Sequence, residues 1–384
     1  MKKIYYLLLF LLLSIASCNS NKVDITLIDD SNAERIDFNN NLETETLSMN
    51  DIVDSVKIVT LETKDESLVH QIMDIIITDY RIFIYDNYQG GGIIIFDSDG
   101  KFIKRLKNGN GPGEINRVVG IDYDPYANGL IVLQNPFVQL YTNDGEYFAD
   151  VMLDFPADHI KCLEKTLFFT KMQGHQCATI ENFDKYSTII TNRDREIKSL
   201  AIPYAIDNPI PNNLVRISKE EIRIGVPGND TIYTYKNDTL TASYIMDYSK
   251  YKFDMAKLSD AEVMEYQSNM SRPEQCVYRG SYLETETHQY FEFAFGQYPY
   301  SVYRNKKNGH IVSGYKFESS DYLICIPLPV KMNDNWFVGL SNAFDYKHGT
   351  AISNKYISQE DVDKLEKLKE DDNPYLIFFR PKDF

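Results

Sequence analysis

The chain has 384 residues and carries 40 Lys and Arg against 56 Asp and Glu, which gives a formal net charge of −16. An acidic surface of this kind repels nucleic-acid phosphates, so the composition excludes a typical DNA- or RNA-binding protein. The 28 Tyr and 21 Phe, together with many Ile, Val and Thr, favour strands over helices.

The first residues have the features of a bacterial secretory signal. Lys2 and Lys3 precede an apolar run over residues 4–13, and small residues lead up to Cys18. The run is too short to cross a bilayer, which needs about 20 apolar residues. Residues 15–18 also resemble a bacterial lipobox, in which the peptidase cuts before a cysteine that carries diacylglycerol. We therefore predict a signal peptide over residues 1–17 and lipidation at Cys18; the alternative is an ordinary signal peptide with a chance cysteine.

Residues 18–50 are polar and rich in Asn, Asp, Glu and Ser. This composition predicts a lipidated flexible tether that is disordered in its first half. Two or three lipid chains on one cysteine would hold the protein firmly on a membrane. Residues 19–22 lack the acidic run that resembles a surface-export signal in related lipoproteins. The predicted location is therefore the outer membrane, on its periplasmic side rather than on the cell surface.

Residues 51–384 repeat a strand–turn–strand pattern. Residues 94–102 and 139–148 turn at Asp-Gly, a strong hairpin signal because the turn needs a positive φ. Weaker copies of the pattern are residues 189–196, 232–240 and 301–310. The turn markers are Gly100, Gly145, Arg195, Asp238 and Gly309, with gaps of 45, 50, 43 and 71 residues. Repeats of about 40–50 residues with four short strands each are typical of propeller blades; the alternative is a β-sandwich.

The long last gap indicates an insertion. Residues 259–262 have a capping-box pattern, which predicts a helical insertion over about residues 247–285. A second capping box at residues 358–361 predicts a helix that ends near Asp371. The early strand at residues 56–61 has no hairpin partner, so we expect it to pair with the last blade and close the ring. The predicted fold is all-β: a single six-bladed β-propeller with short helical insertions.

Several segments agree with a known family in their number and order. They are residues 55–63, 96–102, 109–114, 229–233, 244–248 and 371–376. On these segments the chain resembles the six-bladed, NHL-like β-propeller lipoproteins abundant in gut anaerobes. The resemblance implies fold and export, and implies little about function. The chain departs from the family pattern at the third turn, which lacks glycine, and at residues 319–322, which replace an Asn-Asp loop.

Candidate sites for chemistry are sparse. Residues 109–114 are glycine-rich but lack the Lys-Ser/Thr of a phosphate loop, so they predict a turn between blades. The carboxylate pairs Asp97/Asp99 and Asp122/Asp124 have the chemistry for acid–base work or calcium binding, but they flank turns, where Asp normally caps its own backbone. No catalytic residue, metal or cofactor is predicted.

Two histidines and two cysteines lie close together in sequence. His159, Cys162, His175 and Cys177 fall within nineteen residues, with a spacing that matches no common zinc module. Buried thiols, a Cys162–Cys177 disulfide and a metal site all remain open for this group. Cys276 and Cys325 add two further cysteines, and the pairing of the four is undetermined by the sequence.

The stretch of residues 290–300 is aromatic and alternates as a strand, with one face in the core and the other half-exposed. Tyr298 and Tyr300 are predicted as loop residues that contact a ligand. With no catalytic motif, the sequence favours a non-enzymatic binding module for a glycan, a peptide or an envelope protein. The alternatives are a metal-dependent lyase or hydrolase with a site at the propeller axis, and a scaffold of an outer-membrane complex.

Overall fold

The computed structural model describes residues 22–88, 91–204, 212–252, 259, 261, 276–295, 298–318, 329–348 and 355–384. The N-terminal elements are β1 (Asp24–Ile25), β2 (Glu34–Asp37), β3 (Thr46–Ser48), α1 (Met49–Ile52) and β4 (Val53–Thr60). Six antiparallel blades follow, and each has four strands. The first two blades are β5 (Ile72–Ile77), β6 (Arg81–Asp86), β7 (Gly92–Asp97) and β8 (Phe102–Lys107), then β9 (Gly120–Asp124), β10 (Gly129–Leu133), β11 (Phe137–Thr142) and β12 (Tyr147–Met152).

The remaining blades follow in chain order. Blade 3 is β13 (His159–Cys162), β14 (Thr166–Thr170), β15 (Tyr186–Asn192) and β16 (Ile197–Pro203), and blade 4 is β17 (Asn213–Arg216), β18 (Glu221–Gly225), β19 (Thr231–Lys236) and β20 (Thr239–Asp247). Blade 5 is β21 (Cys276–Glu284), β22 (His288–Phe295), β23 (Tyr298–Asn305) and β24 (Ile311–Gly314), followed by β25 (Lys316–Glu318). Blade 6 is β26 (Lys331–Asn333), β27 (Trp336–Ser341), β28 (Tyr375–Pro381) and the early strand β4.

The six innermost strands close a ring. Each contacts the next in the order β5, β9, β13, β17, β21 and β26, and β26 contacts β5. The early strand β4 runs antiparallel to β28, with Ile58 opposite Ile377, as the outer strand of the last blade. The prediction of a six-bladed β-propeller closed by an N-terminal strand is therefore confirmed.

The turns between the third and fourth strands explain why the repeat was visible in the sequence. The marker residues of all five predicted turns have positive φ: Gly100 83°, Gly145 77°, Arg195 70°, Asp238 59° and Gly309 75°. At Gly100 a Cβ atom would also lie 2.1 Å from the carbonyl oxygen of Thr60, so this position tolerates only glycine. The turn therefore constrains the sequence locally, once in each of the first five blades.

Residues 24–48 do not behave as the predicted flexible tether. The strand β1 pairs in parallel with β16 of blade 3, β2 pairs with β20 of blade 4, and β3 pairs with β25. We call residues 24–48 the belt, because they follow the outer edge of three successive blades. The belt also buries apolar side chains, with Ile36, Phe38 and Leu47 at most 3% exposed. Edge pairing and burial together outweigh its polar composition.

The helices are short. The helix α2 spans Ala343–His348, and α3 spans Gln359–Glu366. The hydroxyl of Ser358 accepts a hydrogen bond from the Asp361 amide at 3.1 Å, which is the capping contact that the sequence predicted. The predicted helical insertion over residues 247–285 lies largely outside the described residues. Its predicted C-terminal bound is wrong, because Cys276–Glu284 form the strand β21. Within the described part of the chain, no helix has the length and hydropathy needed to span a membrane.

Candidate functional site: the central funnel

All six blades contribute to one funnel-shaped cavity of about 950 Å³. It opens at the end of the ring where the first strands turn into the second strands. Each blade supplies a charged side chain to its lining: Asp79, Asp122, Lys161, Arg216, Glu284 and Lys331, in blade order. We call this cavity the funnel.

Asp122 links blades 2, 3 and 4 at the wall of the funnel. Its carboxylate, 1% exposed, accepts hydrogen bonds from Lys161 Nζ at 2.7 Å and Arg216 Nη2 at 2.5 Å. It also accepts the backbone amide of Cys162 at 2.9 Å. Arg216 in turn donates to the carbonyl oxygens of Cys162 and Tyr123, at 2.7 and 2.8 Å. One buried carboxylate thus fixes two of the cationic side chains of the funnel.

On the opposite side of the ring, the buried carboxylate of Glu284 likewise binds two cationic side chains. It accepts hydrogen bonds from Arg223 Nε at 2.8 Å, Lys306 Nζ at 2.6 Å and the Tyr282 hydroxyl at 2.6 Å. Burial raises the pKa of Glu284, but the charge of Arg223 and these hydrogen bonds outweigh burial and hold the pKa below its ordinary value. The carboxylate is therefore ionised and structural.

His159 and Lys161 lie two residues apart on β13, so both side chains are on the same face of this strand, and Lys161 lines the funnel. Burial lowers the pKa of His159 by more than the charge of Asp74 raises it. Asp74 of blade 1 pairs with Lys331 of blade 6 at 2.8 Å, and this ammonium helps to hold the pKa of Asp74 below its ordinary value despite burial. Charged side chains of both signs therefore lie on the innermost strands β5, β13 and β26.

The predicted histidine–cysteine group does not form a site. Cys162 and Cys177 are both free thiols, so the disulfide alternative is wrong. Cys276 is also free, and Cys325 lies outside the described residues. Burial raises the pKa of Cys162, which makes it an inert thiol. Among the residues that the structure describes, no three His, Cys, Asp or Glu side chains are grouped to hold a metal ion.

The two predicted ligand-contact tyrosines lie in a strand rather than in a loop. Tyr298 is the first residue of β23. Tyr300 is 1% exposed, and its hydroxyl donates to the carbonyl oxygen of Asn41 in the belt at 3.0 Å. The contacts of Tyr300 that the structure gives therefore attach the belt to blade 5.

The other candidate motifs stabilise turns, except for Asp122. The expectation that Asp122 caps its own backbone is wrong, because its carboxylate accepts hydrogen bonds from Lys161, Arg216 and the Cys162 amide on other blades. The Gly111 amide donates to Glu114 Oε2 at 2.8 Å within the loop that joins blades 1 and 2. Asp97 accepts the amides of Asp99 and Lys101 at 3.0 and 2.9 Å, as the sequence predicted for Asp residues at turns. Of the charged funnel residues, the sequence singled out only Asp122; the others were missed because they come one from each blade, with no local spacing that connects them.

His175 marks a second polar cluster, in blade 3. Its Nε2 lies 3.0 Å from a carboxylate oxygen of Asp158. Nearby, Lys171 is fully buried and its ammonium lies 4.6 and 4.9 Å from the ring centres of Phe183 and Tyr204. It donates to the Tyr204 hydroxyl at 3.0 Å, and the described residues give it no ion-pair partner. Burial lowers the pKa of Lys171 from 10.5 to about 8.

Replacing this lysine is expected to stabilise the protein. Lys171→Met should raise the free energy of unfolding by about 1–2 kcal/mol at pH 7, because Met fills the space without a buried charge. The unfolded chain binds more protons between the folded pKa of about 8 and the unfolded value of 10.5, so wild-type stability rises with pH in that window. The advantage of the variant should therefore shrink by pH 10.

Urea denaturation at pH 7 and pH 10 measures this difference. Lys185→Met, at an exposed lysine of the same region, is the matched control and should change stability little at either pH. An advantage of Lys171→Met that is equal at both pH values would contradict the explanation by a buried charge.

The sequence matches one family model, and the fold is similar to those of solved structures. A family model described as a domain of unknown function, DUF4934, matches residues 33–380. A solved structure from Bacteroides fragilis, described as an exported protein, is similar to the chain with a TM-score of 0.69 and 14% identity, and the match covers 94% of this chain and 100% of that one. At this identity the similarity shows a shared fold. The comparison with curated proteins found no match.

Two further solved structures have lower scores. The extracellular domain of a one-component system from B. thetaiotaomicron has a TM-score of 0.36 and 13% identity over 67% of this chain and 29% of that one. BamB from Moraxella catarrhalis has a TM-score of 0.37 and 9% identity over 74% of this chain and 84% of that one. At these TM-scores neither similarity indicates what this chain binds.

Proposed function

Because the chain belongs to the DUF4934 family, a domain of unknown function, we propose its role from its own geometry: a binding module of the cell envelope that holds a peptide segment in its funnel. The observation that carries the proposal is the contribution of all six blades to one cavity of about 950 Å³. Cavities of about 300–1,000 Å³ are the usual size for sites that enclose a ligand.

The lining favours a peptide over a glycan. The funnel mouth has exposed carboxylates at Asp79, Glu286 and Asp334, and cationic side chains at Lys306 and Lys331. A peptide segment carries charges of both signs and backbone hydrogen-bonding groups that match such a lining. Sugar rings instead stack on exposed aromatic faces. The one aromatic residue among the described lining residues, Tyr123, is only 9% exposed.

Reversing two charges at the mouth tests the proposal. The double variant Asp79→Lys, Glu286→Lys should lose at least 10-fold in affinity for peptides captured by the wild type, because the two new lysines would repel the cationic groups of the peptide. Peptide and glycan arrays probed with both proteins measure this. The matched control, Asp30→Lys with Asp65→Lys, changes two exposed carboxylates outside the funnel and should stay within about 2-fold. Capture of glycans in place of peptides would overturn the peptide assignment.

The envelope location rests on the leader and on lipidation of Cys18. Cys18 and Asp24 are six positions apart in the chain, and Asp24 pairs with Ser199 on the outer strand of blade 3. A chain spans at most about 3.5 Å per residue, so this connection reaches roughly 20 Å. A lipid at Cys18 would therefore hold the propeller close to the membrane. The periplasmic side of the outer membrane is the proposed location.

Lipidation has a direct test. Cells that express the protein and are fed an alkyne-tagged fatty acid should label the wild type, and the Cys18→Ser variant should lose the label and leave the membrane fraction. Cys177→Ser removes a partly exposed free thiol and should keep both label and location. Persistent labelling of Cys18→Ser would exclude this anchor.

A further inference from the structure

A second cavity, of about 460 Å³, lies between blades 2 and 3 and is distinct from the funnel. Most of the side chains that line it are apolar. Leu140 and Val151 line it from the outer strands of blade 2, and Leu167 and Phe169 line it from β14 of blade 3. Phe148 also lines it and is 74% exposed, so this aromatic side chain lies at the rim.

Two arginines give the cavity a cationic rim. Arg193 donates to the Asp124 carboxylate and to the carbonyl oxygen of Leu163, so its charge is already paired. Arg195 is half-buried, and its side chain has no hydrogen-bond or ion-pair partner among the described residues. Its backbone is fixed in the turn, where its amide donates to the Asn192 carbonyl oxygen at 3.1 Å. The rim therefore presents one positive charge that no described group neutralises.

An apolar slot with an unpaired cation at its rim fits a particular class of molecule. We propose that this cavity binds a single acyl chain with an anionic head group, with the chain between blades 2 and 3 and the head group at Arg195. A methylene group occupies about the volume of a water molecule, roughly 30 Å³, so the slot takes a chain of about 10–15 carbons. A free fatty acid and an anionic lysolipid share this chemistry.

Calorimetric titration of a chain that begins at Asn19, and so retains every described strand, tests the proposal. The probes are dodecanoate, lauroyl lysophosphatidylglycerol and dodecanol, each below its micellar concentration. We expect saturable binding of one molecule per chain, with both anionic probes tighter than dodecanol. Tighter binding of dodecanoate assigns a free fatty acid, and tighter binding of the lysolipid assigns a membrane lipid.

Two variants locate the site. Val151→Trp fills the slot and should weaken binding at least 10-fold, whereas Met152→Trp, on the same strand outside the cavity, should stay within about 2-fold. Arg195→Gln keeps the slot and should weaken dodecanoate about 3-fold while leaving dodecanol unchanged. This second variant decides the question if Val151→Trp fails to fold. Absence of saturable binding, or equal binding by wild type and both cavity variants, would overturn the proposal.

Discussion

Phe38→Ala is expected to lower the free energy of unfolding by about 3–5 kcal/mol, the usual cost of truncating a buried phenylalanine. The ring is fully buried. It packs edge-on against Phe291 at 5.2 Å and Phe293 at 5.5 Å between ring centres, both in blade 5. The truncation would leave a cavity between the belt and the propeller that neither side can fill.

The matched control is Leu27→Ala, also in the belt. Leu27 is 88% exposed, so its truncation should change the free energy of unfolding by less than about 0.5 kcal/mol. Urea denaturation of the two variants separates a packed belt from a tether. Equal, small losses would mean that the belt contributes no packing energy and detaches freely from the blades.

Structural features that depend on neighbouring residues could be predicted from the sequence, whereas the pairing of the belt could not. The hydrogen bonds that close the turn at Gly100 and the cap at Ser358 join residues no more than four positions apart, and the sequence predicted both. Pairing of β2 with β20 instead joins Glu34 to Tyr244, more than two hundred residues apart. The polar composition of the belt gives no sign of that distant edge, whose free backbone groups and apolar neighbours decide its conformation.

The aromatic strand of blade 5 shows a second limit of prediction from sequence. The alternation at residues 290–295 predicted one core face and one half-exposed face. In the structure Tyr290, Phe291 and Phe293 are all fully buried, because blade 5 is covered on both faces. The residues of a strand alternate in exposure only when one face of the strand is in contact with water. Packing between the blades covers that face. For the same reason Tyr300 lies in the interior.

Asp122→Ala is expected to cost about 2–4 kcal/mol of folding free energy, less than a fully buried ion pair because Lys161 and Arg216 are 17% and 23% exposed. The substitution removes the acceptor for both cations and for the buried amide of Cys162. A buried donor without a partner carries its full desolvation cost. Asp144→Ala, which breaks an ion pair of a carboxylate that is 63% exposed, should cost under about 1 kcal/mol.

The two cations should respond differently, and this distinguishes the network from simple loss of contact. Arg216 keeps its bonds to the carbonyl oxygens of Cys162 and Tyr123, whereas the described contacts give Lys161 no other hydrogen-bond partner. Adding Lys161→Met to Asp122→Ala should therefore recover about 1 kcal/mol, since it removes a cation without a counter-charge. Urea denaturation of the single and double variants measures this coupling. If the double variant is no more stable than Asp122→Ala, the Lys161 ammonium is solvated in the funnel once Asp122 is gone. Its pairing with Asp122 would then fix the shape of the funnel without stabilising the folded protein.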